Sequence, residues 1–168
     1  MNIENTLNLG KNILEANRIP NPYLDSEILL SESINKDKKH IILNLKKILS
    51  RKQLDIFNSL IERRKKGEPI AYLTNKKEFW KDEFFVNKGV LIPRPDTELI
   101  IEQVLKIYSK EAKLQVLDIG TGSGCILLSI LKERPNFYGT GIDISKKSIN
   151  VSKFNANKLD LINRTKFI

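Results

Sequence analysis

Apolar side chains recur at helical spacing over residues 1–66, where the pattern predicts four amphipathic helices. The last of them is the most regular, because Leu54, Phe57 and Ile61 follow Ser50, a residue type that favours helix N-caps. This helix ends in four consecutive cations and a glycine, which the helix dipole and the usual glycine cap both favour. The pattern therefore predicts a small helical bundle at the start of the chain.

After the predicted helices, the pattern of apolar and polar residues changes. Residues 78–86 (EFWKDEFFV) have two aromatic-rich arms on either side of Lys81 and Asp82. Aromatic residues favour strands and aspartate favours turns, so we predict a β-hairpin with Lys81 and Asp82 at its turn. Pro93 and Pro95 then keep the chain extended up to the start of another amphipathic helix.

Strands and helices alternate from residue 114 onward. The predicted strands are Leu114–Asp118, Phe137–Ile144 and a third that begins at Lys166–Ile168. Alternation of this kind predicts parallel strands in a doubly wound sheet. We therefore predict an α/β fold with a small N-terminal helical bundle, a β-hairpin linker and the first part of a doubly wound, Rossmann-like sheet. The predicted domains are residues 1–74 for the helical domain, 75–93 for the linker and 94–168 for the sheet domain.

A sheet of this class has about six or more strands, and only two complete ones are recognised in the sequence. We therefore expect the chain to be the N-terminal part of a larger fold. We also expect the helix after the first strand to leave its apolar residues exposed, since the sheet beneath it is narrow. Those residues are Ile126, Leu127, Ile130 and Leu131.

Composition excludes several classes of protein. No apolar run approaches the roughly 18 residues of a membrane span, and the N-terminus is too polar for a secretory signal. We therefore expect a cytoplasmic protein that does not bind membranes. With one cysteine and one histidine, the chain cannot build an internal disulfide or a Cys/His metal site by itself.

The net charge of +9 raises nucleic acid as a partner. The charge is spread evenly, however: residues 1–75 carry 13 basic and 9 acidic side chains, and residues 76–168 carry 16 and 11. Lysine outnumbers arginine 22 to 7, although arginine is the residue suited to bidentate recognition of phosphate and guanine. We therefore do not expect direct binding of nucleic acid.

Residues 118–124 read Asp-Ile-Gly-Thr-Gly-Ser-Gly, between a predicted strand and a predicted helix. Glycine admits positive φ and close approach of a ligand, and a helix N-terminus offers N–H groups to an anionic one. Asp143 stands at the end of the next strand, where a carboxylate can accept hydrogen bonds from both ribose hydroxyls. The predicted cofactor-binding residues are Gly120, Thr121, Gly122, Ser123, Gly124 and Asp143.

Three readings of this loop are open. A dinucleotide fingerprint (G-x-G-x-x-G/A) would place glycine or alanine at position 125, which is a cysteine here. Asp118, two residues before the first glycine, completes the pattern D-x-G-x-G-x-G of S-adenosylmethionine-dependent methyltransferases. We favour the methyl donor; a dinucleotide and a tight turn that binds nothing remain alternatives.

Three longer stretches carry a more specific resemblance. Residues 67–80 (GEPIAYLTNKKEFW), 90–105 (VLIPRPDTELIIEQVL) and 116–130 (VLDIGTGSGCILLSI) closely resemble the peptide chain release factor glutamine methyltransferases. The resemblance covers essentially the whole chain, and residues 92–98 (IPRPDTE) are its most specific part.

The resemblance implies a substrate, a cofactor and roles for the site residues. Family members methylate the side-chain amide of the glutamine in the Gly-Gly-Gln motif of class I peptide chain release factors, with S-adenosyl-L-methionine as the donor. The donor would lie over Gly120–Gly124, with its ribose held by Asp143. The helical domain and the linker would help to hold the release factor.

The family's catalytic Asn-Pro-Pro-Tyr is missing, because none of the six prolines in the chain is adjacent to another. We therefore assign no catalytic residue, and we expect the chain alone to have little or no activity. Two alternatives stay open: a non-catalytic module that binds release factors, and a fragment of a nucleic-acid adenine methyltransferase.

A few other side chains have simple interpretations. Arg94, between two prolines, could contact the donor or the substrate, or pair with Asp96 or Glu98. Cys125 is expected to pack as a small apolar residue. We expect the aromatic residues Phe79 and Trp80 to form a small core of the linker itself.

Overall fold

The computed structural model describes all residues, 1–168, and divides into two compact units, Met1–Thr74 and Asn75–Ile168. The first unit is entirely helical. Its helices are α1 (Ile3–Ala16), α2 (Pro22–Ile34), α3 (Lys38–Leu43), α4 (Arg51–Lys65) and α5 (Ile70–Thr74).

Local sequence signals determine where these helices begin. The Asn2 side chain accepts a hydrogen bond from the Asn5 N–H and so caps α1. Ser50 caps α4 as the sequence predicts, and Gln53 completes a capping box by accepting from the Ser50 N–H. Helix α5 was not predicted, since its five residues are too few to show a helical period.

The core of the helical unit forms where α1 packs on α2 and α4. Gly10 lies at this contact, and a Cβ added to it would stand 2.4 Å from Ser26 Oγ and 2.6 Å from the Phe57 ring. The fully buried apolar residues around it include Ile3, Leu14, Leu29, Leu30, Ile41 and Phe57. Glycine is needed at this position because any side chain would push the helices apart.

The cations that end α4 are paired with carboxylates of the same unit. Arg64 donates to buried Asp25 over 2.7 Å, and Arg63 forms two hydrogen bonds with Glu68. This confirms that the basic run forms the end of a helix.

The second unit begins with a hairpin and continues as an α/β sheet. Its strands are β1 (Lys76–Phe79), β2 (Asp82–Phe85), β3 (Gln115–Ile119), β4 (Tyr138–Ile142) and β5 (Thr165–Phe167). Its helices are α6 (Glu98–Ile107), α7 (Cys125–Glu133) and α8 (Lys146–Lys158). No helix in the chain combines the length and the apolarity needed to cross a membrane.

Strands β3, β4 and β5 lie side by side in chain order and are parallel throughout. Leu117 pairs with Thr140, and Ile119 pairs with Ile142. The predicted fold class is therefore confirmed: a helical bundle, an antiparallel hairpin and the first strands of a doubly wound parallel sheet.

The hairpin turn lies one residue earlier than predicted. Asp82 pairs with Phe79 inside the ladder, so the turn is formed by Trp80 and Lys81. Trp80 adopts φ 56° there, an uncommon conformation for an aromatic residue. Its N–H donates to Glu98 and its indole Nε1 donates to Glu133, each over 2.8 Å, and these bonds override the local preference for aspartate.

Phe79 does not belong to a separate core of the hairpin. It is buried against Phe84, with ring centroids 6.1 Å apart, in one cluster with residues of α6 and α7. The expected small linker core is therefore wrong: the hairpin shares the core of the sheet unit.

The expectation that α7 exposes its apolar face is also wrong. Leu127, Ile130 and Leu131 are buried, and Ile126 is partly buried. Helix α7 reaches the strand closely because β4 presents Gly139, whose added Cβ would lie 2.6 Å from Leu127 Cδ1. Strand β3, by contrast, does expose apolar side chains: Leu117 is 59% and Ile119 75% exposed.

Candidate functional site

The candidate site lies at the carboxyl ends of β3 and β4. The glycine loop, Gly120–Gly124, follows β3 directly, and Asp143 follows β4. Because Ile119 pairs with Ile142, the parallel register brings these two segments together. The carboxyl edge of a parallel sheet is where open α/β folds bind ligands.

The three glycines of the loop have φ of 78°, 55° and 80° at Gly120, Gly122 and Gly124. Side-chain-bearing residues rarely adopt this left-handed region, which explains the alternation of glycine in the motif. A Cβ added at Gly120 would meet no heavy atom within 4 Å. The loop is therefore open on the side of Gly120.

Most of the loop N–H groups are engaged inside the protein. Gly120 and Thr121 both donate to the carbonyl of Ile142, over 2.8 and 3.0 Å, and Gly124 donates to the carbonyl of Thr121. The sequence alone suggested free N–H groups at this helix N-terminus. In the loop before that helix the structure differs, because the carbonyl at the end of β4 accepts from Gly120 and Thr121.

Asp143 points at the loop. Its Oδ2 accepts from the Gly122 N–H over 3.0 Å, and its Oδ1 accepts from the Ser145 N–H over 2.8 Å. Each carboxylate oxygen has a second lone pair, so the group retains acceptor capacity for a ligand. The structure thus brings the predicted loop and the predicted acidic residue into direct contact.

Thr121 and Ser123 are both buried, so their side chains face the protein rather than the open side of the loop. The Thr121 hydroxyl donates to Asp118 Oδ2 over 2.8 Å. Burial raises the pKa of Asp118, the Thr121 hydroxyl opposes that shift, and the nearby charge of Asp143 adds to it. Asp118 therefore supports the loop from beneath.

The structure also shows the surroundings of Cys125 and Arg94, two further residues considered in the sequence. Cys125 is buried, and burial raises the pKa of its thiol to about 11, which fits its packing role. Arg94 forms no ion pair with Asp96 or Glu98; Glu98 accepts from the Trp80 N–H instead.

One residue in contact with the loop was missed. Asn155 of α8 is fully buried and donates to the carbonyl of Ser123 over 2.9 Å. It stands 32 residues beyond Ser123 in the sequence, inside an ordinary amphipathic helix. Its only signal was an asparagine on the buried side of that helix, which is a weak one.

Comparison with protein families gives two matches along the chain. Residues 5–74 match the PrmC N-terminal domain, and residues 110–168 match a methyltransferase domain. The first match lies within the helical unit and the second contains the glycine loop, Asp143 and Asn155.

Curated relatives are similar over almost the whole chain. The release factor glutamine methyltransferase of Koribacter versatilis is 40% identical over 88% of this chain and 52% of its own length. That of Buchnera aphidicola (subsp. Acyrthosiphon pisum) is 40% identical over 95% of this chain and 57% of its own. A bifunctional methyltransferase of Rickettsia bellii is 38% identical over 99% of this chain and 34% of its own. The chain thus spans about a third to just over half of these relatives.

Solved structures match part of the chain. A SAM-dependent methyltransferase from Geobacter sulfurreducens, in complex with S-adenosyl-L-homocysteine, is 31% identical over 45% of this chain and 28% of its own, with a TM-score of 0.38. The family matches and the curated relatives support the resemblance seen in the sequence: residues 110–168 match a methyltransferase domain, and most of the chain is similar to part of the release factor glutamine methyltransferases.

Proposed function

We propose that this chain binds S-adenosyl-L-methionine and takes part in methylating the Gly-Gly-Gln glutamine of class I peptide chain release factors. The observation that carries the proposal is the contact between the Asp143 carboxylate and the Gly122 N–H. This contact joins the loop that would lie under the donor to the carboxylate that would hold its ribose, at the carboxyl edge of the sheet.

Each site residue has a role in this proposal. The backbone of Gly120, Thr121, Gly122, Ser123 and Gly124 forms the floor on which the donor lies, with its open side at Gly120. Asp143 uses its remaining lone pairs to accept the ribose hydroxyls. Asp118 holds Thr121, and through it the first half of the loop. The donor, when bound, supplies a methyl group on a sulfonium sulfur.

The hydrogen bonds that the loop N–H groups form within the protein favour this donor over a dinucleotide. A pyrophosphate draws on free N–H groups of the loop in addition to those of the helix N-terminus. Here Gly120, Thr121, Gly122 and Gly124 all donate to acceptors of the protein itself. A donor without phosphate demands fewer of these groups, so the loop suits it better.

The protein substrate is proposed from the family. The helical unit, Met1–Thr74, would help to hold the release factor, and the reaction would take place in the cytoplasm, where translation occurs. An amide nitrogen is a poor nucleophile and must be aligned by hydrogen bonds to its protons. These 168 residues contain no Asn-Pro-Pro-Tyr to do this, so we expect them to bind without transferring methyl groups.

The role of Asp143 can be tested with two ligands and one substitution. We expect wild-type protein to bind S-adenosylhomocysteine more tightly than its 2′,3′-dideoxy analogue, by roughly tenfold to a hundredfold for each charge-assisted hydrogen bond. In Asp143→Asn this preference should shrink, because the amide is uncharged and has one acceptor oxygen where the carboxylate has two. Isothermal titration calorimetry measures all four affinities.

Asp160→Asn is the matched control, since Asp160 is exposed and its φ of 57° suits asparagine equally well. It should leave the preference unchanged. Equal affinity of the wild-type protein for the two ligands would show that Asp143 does not hold the ribose.

Titration of the chain with a class I release factor tests the proposed substrate. We expect binding, without methylated glutamine on mass spectrometry when donor is added. Binding of the release factor without any binding of the donor would favour the non-catalytic module. Efficient methyl transfer would contradict the expected inactivity.

A further inference from the structure

Both polar atoms of the Asn155 side chain form hydrogen bonds with the backbone. Its Nδ2 donates to the carbonyls of Ser123 and Phe85, over 2.9 and 3.0 Å, and its Oδ1 accepts from the Phe85 N–H over 2.8 Å. The residue is fully buried. One side chain thus ties helix α8 to strand β2 and to the glycine loop.

The loop requires a restraint of this kind. Ser123 has a glycine on each side, so the backbone of the loop is conformationally freer here than in the other segments of the site. Asp118 and Asp143 hold Thr121 and Gly122, in the first half of the loop. Asn155 holds the carbonyl of Ser123, in the second half.

The packing around Asn155 supports the same role. Ser152 lies one turn earlier on α8, and its Cβ would stand 3.2 Å from a Cβ added at Gly124. Helix α8 therefore lies directly against the end of the loop, and the backbone there has little room to shift. The Asn155 side chain also binds the N–H and the carbonyl of Phe85. Displacement of β2 would therefore displace the side chain that restrains Ser123.

We propose that Asn155 is the positioning residue of the donor loop and couples its conformation to the β1–β2 hairpin. That this loop binds a methyl donor rests on the function proposed above, whereas the coupling between the loop and the hairpin does not. In the presence of donor, a contact that orders the hairpin would also order the loop, and donor bound at the loop would order the hairpin.

Amide hydrogen exchange measured by NMR tests the coupling without any ligand. We expect Asn155→Ala to speed exchange of the Gly122, Gly124 and Phe85 amides by roughly tenfold or more relative to amides in the centre of α7. Asn155→Asp should act in the same direction, because a carboxylate keeps the acceptor for Phe85 but loses both donors.

Arg164→Met is the control. Arg164 donates to four carbonyls, those of Leu131, Arg134, Pro135 and Phe137, and touches neither the loop nor the hairpin. The Arg164→Met substitution should lower the free energy of unfolding of the protein without selectively speeding amide exchange in the loop. Wild-type protection of Gly122 and Gly124 in a folded Asn155 variant would overturn the proposal.

If both Asn155 variants fail to fold, the wild-type protein supplies the test. Its Asn155 side-chain amide protons should open together with the Phe85 and Gly124 amides, with equal opening constants. Independent opening of these three groups would overturn the proposal. A wild-type chain that binds no S-adenosylhomocysteine would contradict the proposed function but leave this exchange experiment decisive for the coupling.

Discussion

At the scale of single residues, Asp118 shows how the motif combines support with an electrostatic cost. Its carboxylate accepts from Thr121, but burial and the charge of Asp143 raise its pKa above the ordinary 3.8. A raised pKa means that folding favours the neutral form of the group. Its contribution to stability is fully present below the unfolded pKa and is lost as the pH rises through the folded value.

Asp118→Asn should therefore stabilise the fold at pH 7, since the amide is neutral and its oxygen still accepts from Thr121. The gain should shrink as the pH falls through the raised pKa, where wild-type Asp118 is neutral too. Thermal unfolding from pH 3.5 to 7.5 measures the difference, with Asp160→Asn as the exposed control. A gain that grows toward acid pH would contradict this assignment of charge.

Single residues also mark the limit of prediction from sequence. Gly120, Gly122, Gly124 and Asp143 stand out because their spacing is set by one strand, one turn and one helix. Asn155 does not stand out, because its partners lie 32 and 70 residues away and only the folded helix brings it to them. Local patterns reveal local geometry, whereas a side chain that bridges distant segments leaves no periodic signal.

At the scale of elements, the contact of α7 with β4 depends on a glycine. Gly139→Ala would place a methyl group 2.6 Å from Leu127 Cδ1, and we expect it to destabilise the protein by roughly 1–3 kcal/mol. The double variant Gly139→Ala/Leu127→Ala removes the closest contact and leaves only the one at 3.0 Å from Leu131 Cδ1. It should be more stable than the sum of the two single effects predicts, as urea unfolding would measure.

Strict additivity of the two substitutions would show that Leu127 does not limit the approach of α7 to β4. Thr140→Ser offers a control in the same strand, because residue 140 lies on the alternate face and is only partly buried. Its effect should be small and independent of Leu127.

The elements were predicted unevenly, for identifiable reasons. The Ser50 cap and the three parallel strands follow from capping chemistry and from strand–helix alternation. The hairpin turn was misplaced because hydrogen bonds from Trp80 to Glu98 and Glu133 outweigh turn propensity. The burial of α7 was missed because a periodicity cannot show which faces a neighbouring hairpin and helix cover.

At the scale of the whole molecule, two units differ in kind. The helical unit matches the PrmC N-terminal domain, and the sheet unit contains the match to a methyltransferase domain. Within the helical unit, Arg63 and Arg64 at the end of α4 form ion pairs with Glu68 and Asp25. The central claim is that the sheet unit holds the adenosyl portion of S-adenosyl-L-methionine, which S-adenosylhomocysteine shares, at its glycine loop.

An NMR titration of the 168-residue protein with S-adenosylhomocysteine tests that claim most directly, with NAD as the competing ligand class. We predict saturable shifts of the backbone amides of Gly120, Gly122, Gly124 and Asp143, transmitted to Phe85, and no comparable response to NAD. No response of these amides to S-adenosylhomocysteine, or a stronger one to NAD, would contradict the assignment of the site.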